Sequence, residues 1–302
     1  MTNETILVTG ATGQVGRRLV PRLLAWRDSG DAVRVLVRTP EAAAGFEAAG
    51  AQAVVGDITD AADRERALDG ATSVVNTAAT FRDPSVEESG MYAVNRDAAV
   101  SLARESAKAG VRRFVQVSTI HVYGPGIGRP LREDDALRAP DAAEGERHLV
   151  YPHSKREAEE QIRALCEESG FDVITLRLPF VYGEGDPHIA NALAHFNLGA
   201  LATHAVMPMA HHADVAQAVQ RALRTVRPQQ PGYVAYNIAG DAPSTMYEFF
   251  ELGGREFDVA AAAGRSVADL WAGVPDTTRA YRDLGFRPIY PTAKAAWRDG
   301  AL

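Results

Sequence analysis

One stretch, Ile6-Leu7-Val8-Thr9-Gly10-Ala11-Thr12-Gly13-Gln14-Val15-Gly16, constrains this chain more than any other. It reads as an apolar strand, then Gly-x-x-Gly-x-x-Gly, then a helix whose apolar residues fall at 15, 19, 20, 23 and 24. Gly10 permits the tight turn, Gly13 lets backbone approach a phosphate, and Gly16 lets the helix pack close to the strand. The amides around Gly13, Gln14 and Val15 then point at a pyrophosphate at a helix N-terminus. A glycine triplet alone is weak evidence; between a strand and a helix it indicates a dinucleotide site, with Gly10, Thr12, Gly13, Gln14 and Val15 as the contacting loop.

The remainder repeats the alternation. Strands are expected at 33–37, 53–55, 73–76, 114–117 and 173–176, separated by helices at 41–49, 61–68, 91–109 and 152–169. Gly110 and Gly170 close the last two helices. Short, mostly buried strands between helices make an α/β fold with a doubly wound parallel sheet, whose ligands sit at the carboxyl ends of the strands. At 302 residues the chain suits a large domain plus a small lobe. The expected division is a dinucleotide-binding core over 1–183 and a C-terminal, mainly substrate-binding lobe over 184–302, with 214–240 returning to the core.

Composition removes other classes. A formal net charge of −7 argues against nonspecific nucleic-acid binding and against an anionic membrane surface. No apolar run reaches the roughly 18–20 residues needed to span a bilayer. The chain opens on a strand and not on a signal peptide. Cys166 is the single cysteine, so no internal disulfide can form; a cytoplasmic protein is expected, with Cys166 as packing.

The chemistry is carried by Tyr151 and Lys155, four residues apart and so on one face of a helix. A nearby ammonium favours phenolate and draws the phenol toward working pH, which makes a proton donor. The second strand ends in Arg38-Thr39-Pro40. Asp or Glu there would accept from a ribose 2′-hydroxyl, whereas an arginine suits a 2′-phosphate, so NADP is favoured over NAD. The alternative is a solvated strand-end arginine. Asp57, followed by Ile58, is placed to meet the adenine, or else is a turn residue. Ala78 and Ala79 end the fourth strand with side chains small enough for backbone to lie against the cofactor.

Taken together the residues resemble the extended branch of the short-chain dehydrogenase/reductase superfamily, also called the NAD-dependent epimerase/dehydratase family. The resemblance rests on Thr9–Gly16, Gly56-Asp57, Ala78-Ala79, Asn95, Ser118-Thr119, Val122-Tyr123-Gly124 and Tyr151/Lys155. It continues through Arg177-Leu178-Pro179-Phe180-Val181-Tyr182-Gly183, Asp214-Val215-Ala216 and Tyr236-Asn237-Ile238. It implies a Rossmann fold and a role for each site residue. Tyr151 exchanges a proton with the substrate oxygen and lies against the coenzyme; Lys155 binds the nicotinamide ribose and tunes Tyr151. Thr119 orients the substrate oxygen, with Ser118 as the alternative. Asn95 steadies a strand end and a proton path, or marks a helix kink. The stretch Pro179–Val181 flanks the nicotinamide.

Two departures narrow the substrate. Family dehydratases place Asp-Glu after the hydroxyl residue, where this chain has Ile120 and His121. Relatives acting on sugar nucleotides hold a longer segment after the position of Gly183, with an arginine for the diphosphate. Here residues 184–213 contain neither Arg nor Lys, and an unneutralised diphosphate would bind poorly. The histidines 188, 195, 204, 211 and 212 match no usual zinc spacing, so no metal is expected. Phe81, His121 and His188 are candidate substrate contacts. Residues 124–150 are either a lid or a surface loop.

The reading is an NADP(H)-dependent oxidoreductase that moves hydride between nicotinamide and a small, largely apolar ketone or alcohol, with Tyr151 as general acid/base. The alternatives are an epimerase with tightly held NAD(P), acting on a sugar or sugar nucleotide, and a non-catalytic NADP sensor. A homodimer is expected, paired through the 91–109 and 152–169 helices.

Overall fold

The structure, a computed structural model, describes residues 3–81, 85–143, 146–195, 201–225 and 232–302. In chain order the strands are β1 (Thr5–Thr9), β2 (Ala32–Val37), β3 (Gln52–Val55), β4 (Ser73–Asn76), β5 (Arg113–Thr119) and β6 (Val173–Leu178). They continue as β7 (Phe180–Tyr182), β8 (Val206–Met207), β9 (Met209–His211), β10 (Tyr233–Asn237) and β11 (Ser244–Thr245). Seven of them form one parallel sheet in the order β10-β6-β5-β4-β1-β2-β3. The order reverses between β1 and β4, and at such a switch point a crevice opens at the carboxyl ends of the strands.

Side chains along each strand alternate between two cores. Ile6, Val8, Val75, Val115 and Ile174 face one core, closed by Leu19, Val20 and Leu23 of the Gly16–Trp26 helix and by Val215 and Val219 of the His212–Arg224 helix. Leu7, Val74, Phe114 and Val173 face the other, closed by Leu68, Leu102, Ala103, Ile162 and Cys166. Helices cover both faces, which is why the strands are apolar almost throughout. A third apolar cluster joins β7 and β9 to the C-terminal helices through Tyr182, Ile189, Leu193, Met209, Phe249 and Phe250.

Two helices differ from the expected pattern. The helix expected over 91–109 is three segments: Glu88–Tyr92, a π-helical turn at Ala93–Ala98, and Ala99–Lys108. The wide turn contains Asn95, which is fully buried and bonded to the loop after β4. The helix expected to start at Pro152 begins five residues earlier and spans Arg147–Ser169. Pro152 lies inside it, because Val150, Ser154 and Lys155 are buried on both sides of the proline and packing overrides the local preference.

The segment after Gly124 is not a free lid where it is described; Glu144 and Gly145 lie outside the described residues. Leu131 is fully buried and bridges to Pro275, and the Glu133 carboxylate accepts from Asn237 N at 2.9 Å.

Candidate active site

The loop after β1 is closed to side chains at two of its glycines. Gly10 has φ of 71°, and a Cβ there would stand 2.5 Å from Ala78 N. At Gly16 it would stand 2.2 Å from Gly10 O, so neither position accepts a side chain. Thr12, Gly13 and Gln14 are exposed just before the Gly16–Trp26 helix, and Val15 is its N-cap. The loop is braced from below by a residue that sequence reasoning missed. Buried Arg18 donates to Gln14 O at 3.0 Å, to Gln14 Oε1 at 2.8 Å and to Glu184 O at 2.9 Å. Arg22 adds an ion pair to the Glu184 carboxylate. Glu184 has φ of 58°, the one left-handed non-glycine among the described residues.

Arg38 is exposed at the end of β2 and forms no hydrogen bond or ion pair among the described residues. Asp57 is a turn residue: its Oδ1 accepts from Thr59 N at 2.8 Å and Thr59 Oγ1 at 2.7 Å, though a carboxylate retains capacity for a further donor. Ile58 packs on the second core. Ala78 N donates to Asn76 Oδ1 at 3.1 Å, and Ala79 is exposed.

Tyr151 and Lys155 share the Arg147–Ser169 helix. Lys155 is 3% exposed and donates to Val117 O at 2.7 Å. Burial pushes its ammonium down to about 8, with the Glu159 carboxylate acting in the opposite direction. The same carbonyl accepts from Gln116 Nε2 at 2.9 Å. Gln116 Oε1 in turn accepts from Asn76 Nδ2 at 2.9 Å, and Asn76 Oδ1 from Thr9 Oγ1 at 2.7 Å. A buried polar ladder therefore crosses β1, β4 and β5 beneath the crevice and ends at Lys155.

The two candidate hydroxyls separate. Ser118 Oγ is bonded to the Glu159 carboxylate and belongs to a buried network. In it Arg177 pairs with Glu159 at 2.7 Å and donates to Tyr123 OH at 2.7 Å. Thr119 Oγ1, at the end of β5, accepts from His121 N at 3.2 Å and starts the short 3-10 turn Ile120–Tyr123. Asn95 holds both backbone groups of Thr80 at 2.8 and 3.0 Å. It also donates to Ser154 Oγ at 3.2 Å, and Ser154 donates to Tyr151 O at 3.0 Å. Asn95 thus fixes the loop after β4 against the helix of Tyr151.

Pro179 and Val181 lie at the end of β6 and in β7, with Phe180 of the same stretch between them. Its ring stacks on His188 at 3.9 Å between centroids. Phe81 stands edge-on to His188 at 6.0 Å and to Tyr151 at 4.6 Å. His188 Nδ1 lies 3.0 Å from Val181 O, which fixes it as the protonated nitrogen. His121 is exposed on the 3-10 turn. His211 is buried and caps the next helix through Ala213 N, and burial lowers its pKa. Among the described residues no three His, Cys, Asp or Glu side chains could together hold a metal, and no helix is long and apolar enough to cross a membrane. A polar depression of about 500 Å³ between Leu24 and Gln52 lies at the amino ends of β2 and β3, opposite the crevice.

Comparison with known proteins agrees with this geometry. The family model for the NAD dependent epimerase/dehydratase family matches residues 6–239. The chain is 35% identical over 190 residues to UDP-glucose 4-epimerase of Vibrio cholerae; the match covers 60% of this chain and 53% of that protein, about half its length. It is 26% identical over 292 residues to the 4-hydroxy-2-methyl-3-oxo-4-farnesyl-3,4-dihydroquinoline-1-oxide ketoreductase of Stigmatella aurantiaca, covering 90% of this chain and 82% of that protein. Among solved structures, dTDP-glucose 4,6-dehydratase from Streptomyces venezuelae with NAD bound superposes with a TM-score of 0.74 at 26% identity, over 97% of this chain and 95% of that one. With the glycine cradle, the switch-point crevice and the Tyr151/Lys155 helix in place, the chain belongs to the NAD-dependent epimerase/dehydratase family and is an enzyme of the Rossmann α/β class.

Proposed function

We propose that the protein is a nicotinamide-dependent reductase or dehydrogenase of a small, largely apolar ketone or alcohol that carries no nucleotide. The observation that carries this reading is the pairing of a buried Lys155 with a Tyr151 whose neighbours are rings, Phe81 directly and His188 and Phe180 beyond it. When bound, the dinucleotide supplies or accepts hydride at its nicotinamide. The residues that would hold it are the 10–15 loop, Asp57, Ile58, Ala78, Ala79, Lys155, Pro179 and Val181. Tyr151 then gives a proton to the carbonyl oxygen or takes it back, Lys155 lowers the phenol's pKa by its charge, and Thr119 orients the oxygen. Asn95 positions the loop and helix between which these groups meet. Water elimination is not part of the reading, because Ile120 is buried and His121 stands where family dehydratases carry Asp-Glu.

The similarity to a ketoreductase over most of both chains supports net reduction. The higher identity to UDP-glucose 4-epimerase over a shorter span supports a second reading, transient oxidation by a tightly held coenzyme. Coenzyme absorbance at 340 nm with a ketone panel and with UDP-glucose decides between them. Net oxidation of NAD(P)H by a ketone is expected; epimer formation from UDP-glucose without coenzyme turnover would sink the reductase. As for the coenzyme, free Arg38 favours NADP, whereas the solved dehydratase neighbour carries NAD. A homodimer through the exposed faces of the Ala99–Lys108 and Arg147–Ser169 helices completes the reading, and sedimentation at twice the chain mass of 32.4 kDa is its expected result.

A further inference from the structure

Four rings from three separate segments stand beyond Tyr151. Phe81 follows β4 and meets Tyr151 edge-on at 4.6 Å, with 64° between the ring planes. His188 begins the His188–His195 helix and lies over Phe180 of β7 at 3.9 Å and 18°, a parallel stack. Phe249 backs Phe180 edge-on at 5.3 Å and is fully buried. Phe81, at 38% exposure, and the half-buried Phe180 and His188 face a more open space than Phe249 does.

The stack is locked. His188 Nδ1 donates to Val181 O at 3.0 Å, and His188 N donates to Asp186 Oδ1 at 2.9 Å. The other oxygen of Asp186 is held by His212 Nε2 at 2.7 Å, with both side chains 1% exposed. An imidazole whose Nδ1–H is committed to a carbonyl and whose plane lies on a phenyl ring presents a flat face in a fixed orientation. Residues 184–213 bring no Arg or Lys to it.

We propose that this wall selects a ketone conjugated with, or directly attached to, a flat aromatic ring, and that Phe180 and His188 determine the selection. The inference rests on the reductase reading and names its substrate class. Aromatic faces and edges attract each other beyond the apolar area that they bury, and a saturated ring of the same size gains only the area. In the step itself the carbonyl π bond breaks, its carbon takes hydride from the reduced coenzyme, and its oxygen takes the Tyr151 proton, leaving the aryl alcohol and the oxidised coenzyme.

The test compares acetophenone with methyl cyclohexyl ketone, matched in carbon skeleton. Their kcat/KM ratio is expected to be about tenfold in favour of the aryl ketone, the size of one to two ring contacts. Phe180→Leu keeps apolar bulk and removes the ring, and should bring the ratio to within about twofold of one. His188→Ala should act in the same direction and His188→Phe should restore it. The ratio is internal to each preparation, so a partly folded variant does not mimic the effect. Calorimetric titration of 1-phenylethanol against 1-cyclohexylethanol into the protein loaded with reduced coenzyme, a pairing that cannot react, should show the same preference without turnover. Reduction of both ketones at similar rates, or a preference that Phe180→Leu leaves intact, overturns the aromatic wall while the reductase reading stands. Coenzyme binding with neither ketone reduced overturns that reading and this inference with it.

Discussion

The floor of the crevice and the wall beyond it are built on opposite principles. The floor is polar and buried, and its groups are paired. Thr9, Asn76, Gln116, Val117 O and Lys155 form one chain of hydrogen bonds, and Glu159 with Arg177 forms another network beside it. The wall of Phe81, Phe180 and His188 is aromatic and partly open. Buried polar groups must be satisfied or each costs about 1–3 kcal/mol, so the floor tolerates little change. Partly exposed rings can be exchanged for other apolar groups at small cost to folding. On the proposed function the difference separates chemistry from choice of substrate: floor variants should lose turnover or stability, and wall variants should change which substrate is used.

Tyr151→Phe gives the largest effect on turnover. Losing a general acid lowers the rate by about 10²–10⁴. Coenzyme affinity, measured by fluorescence titration, should change by less than about threefold, because the aromatic ring that would lie against the coenzyme is kept and only the hydroxyl is lost. A variant with near-normal turnover would move the proton donor away from this helix.

Glu159→Gln tests the floor as structure. The Arg177–Glu159 pair is 0% and 1% exposed, so no solvent screens the arginine that remains. Removing one partner of such a pair costs about 3–5 kcal/mol. Urea unfolding at pH 7 reads it directly. A loss below about 1 kcal/mol would mean that the network is not dry, and the contrast with the wall would fail.

Lys155 adds a pH signature. Burial holds its folded-state pKa at about 8, against an ordinary 10.5. Between those values the unfolded chain binds a proton that the folded chain does not, so this group makes stability rise with pH across that window. Below pH 8 the burial penalty is felt in full, roughly 3 kcal/mol at about 1.4 kcal/mol per pH unit. Lys155→Met removes it. The difference in unfolding free energy between wild type and Lys155→Met should therefore move in favour of wild type by roughly 2–3 kcal/mol from pH 8 to pH 10. Parallel curves would show that the lysine is hydrated.

The floor was legible in the sequence to the extent that it lies in short motifs. The Gly10–Gly16 loop, the strand ends and the Tyr151/Lys155 spacing are local, and local spacing survives folding unchanged. Contacts that join distant segments were not legible. Arg18 meets Glu184 across 166 positions and Arg177 meets Glu159 from a different element. Nothing around Arg18 distinguishes it from its neighbour Arg17, which is exposed. The helix kink at Asn95 was offered in the sequence only as an alternative to a role at a strand end, because its partner Thr80 lies on a distant loop and an apolar period of 3.6 does not register one extra residue in a turn. His188 was named as a substrate contact, but its stacking on Phe180, in a stretch read as flanking the nicotinamide, joins two elements and is not legible in either alone.

Arg38 gives the smallest effect and the most selective one. It projects from β2, whose register with β1 is set by five paired residues, and it has no partner among the described residues. A guanidinium in that place either meets a 2′-phosphate or meets water. If it meets phosphate, Arg38→Ser removes a charge-assisted hydrogen bond at an exposed site, worth about 1–2 kcal/mol, and the ratio of NADP to NAD affinity falls roughly tenfold while NAD affinity holds. The NADP term should also weaken with salt, because an exposed pair is screened beyond about 10 Å at 0.1 M. If it meets water, both affinities are unchanged and NAD is the coenzyme. Either outcome should leave the aryl-to-cyclohexyl ratio untouched, since Arg38 and the rings share no partner and independent sites add. A change in that ratio would mean that the coenzyme end of the crevice and the wall are coupled, and the Arg18–Glu184 contact beside the loop after β1 is one connection by which they could be.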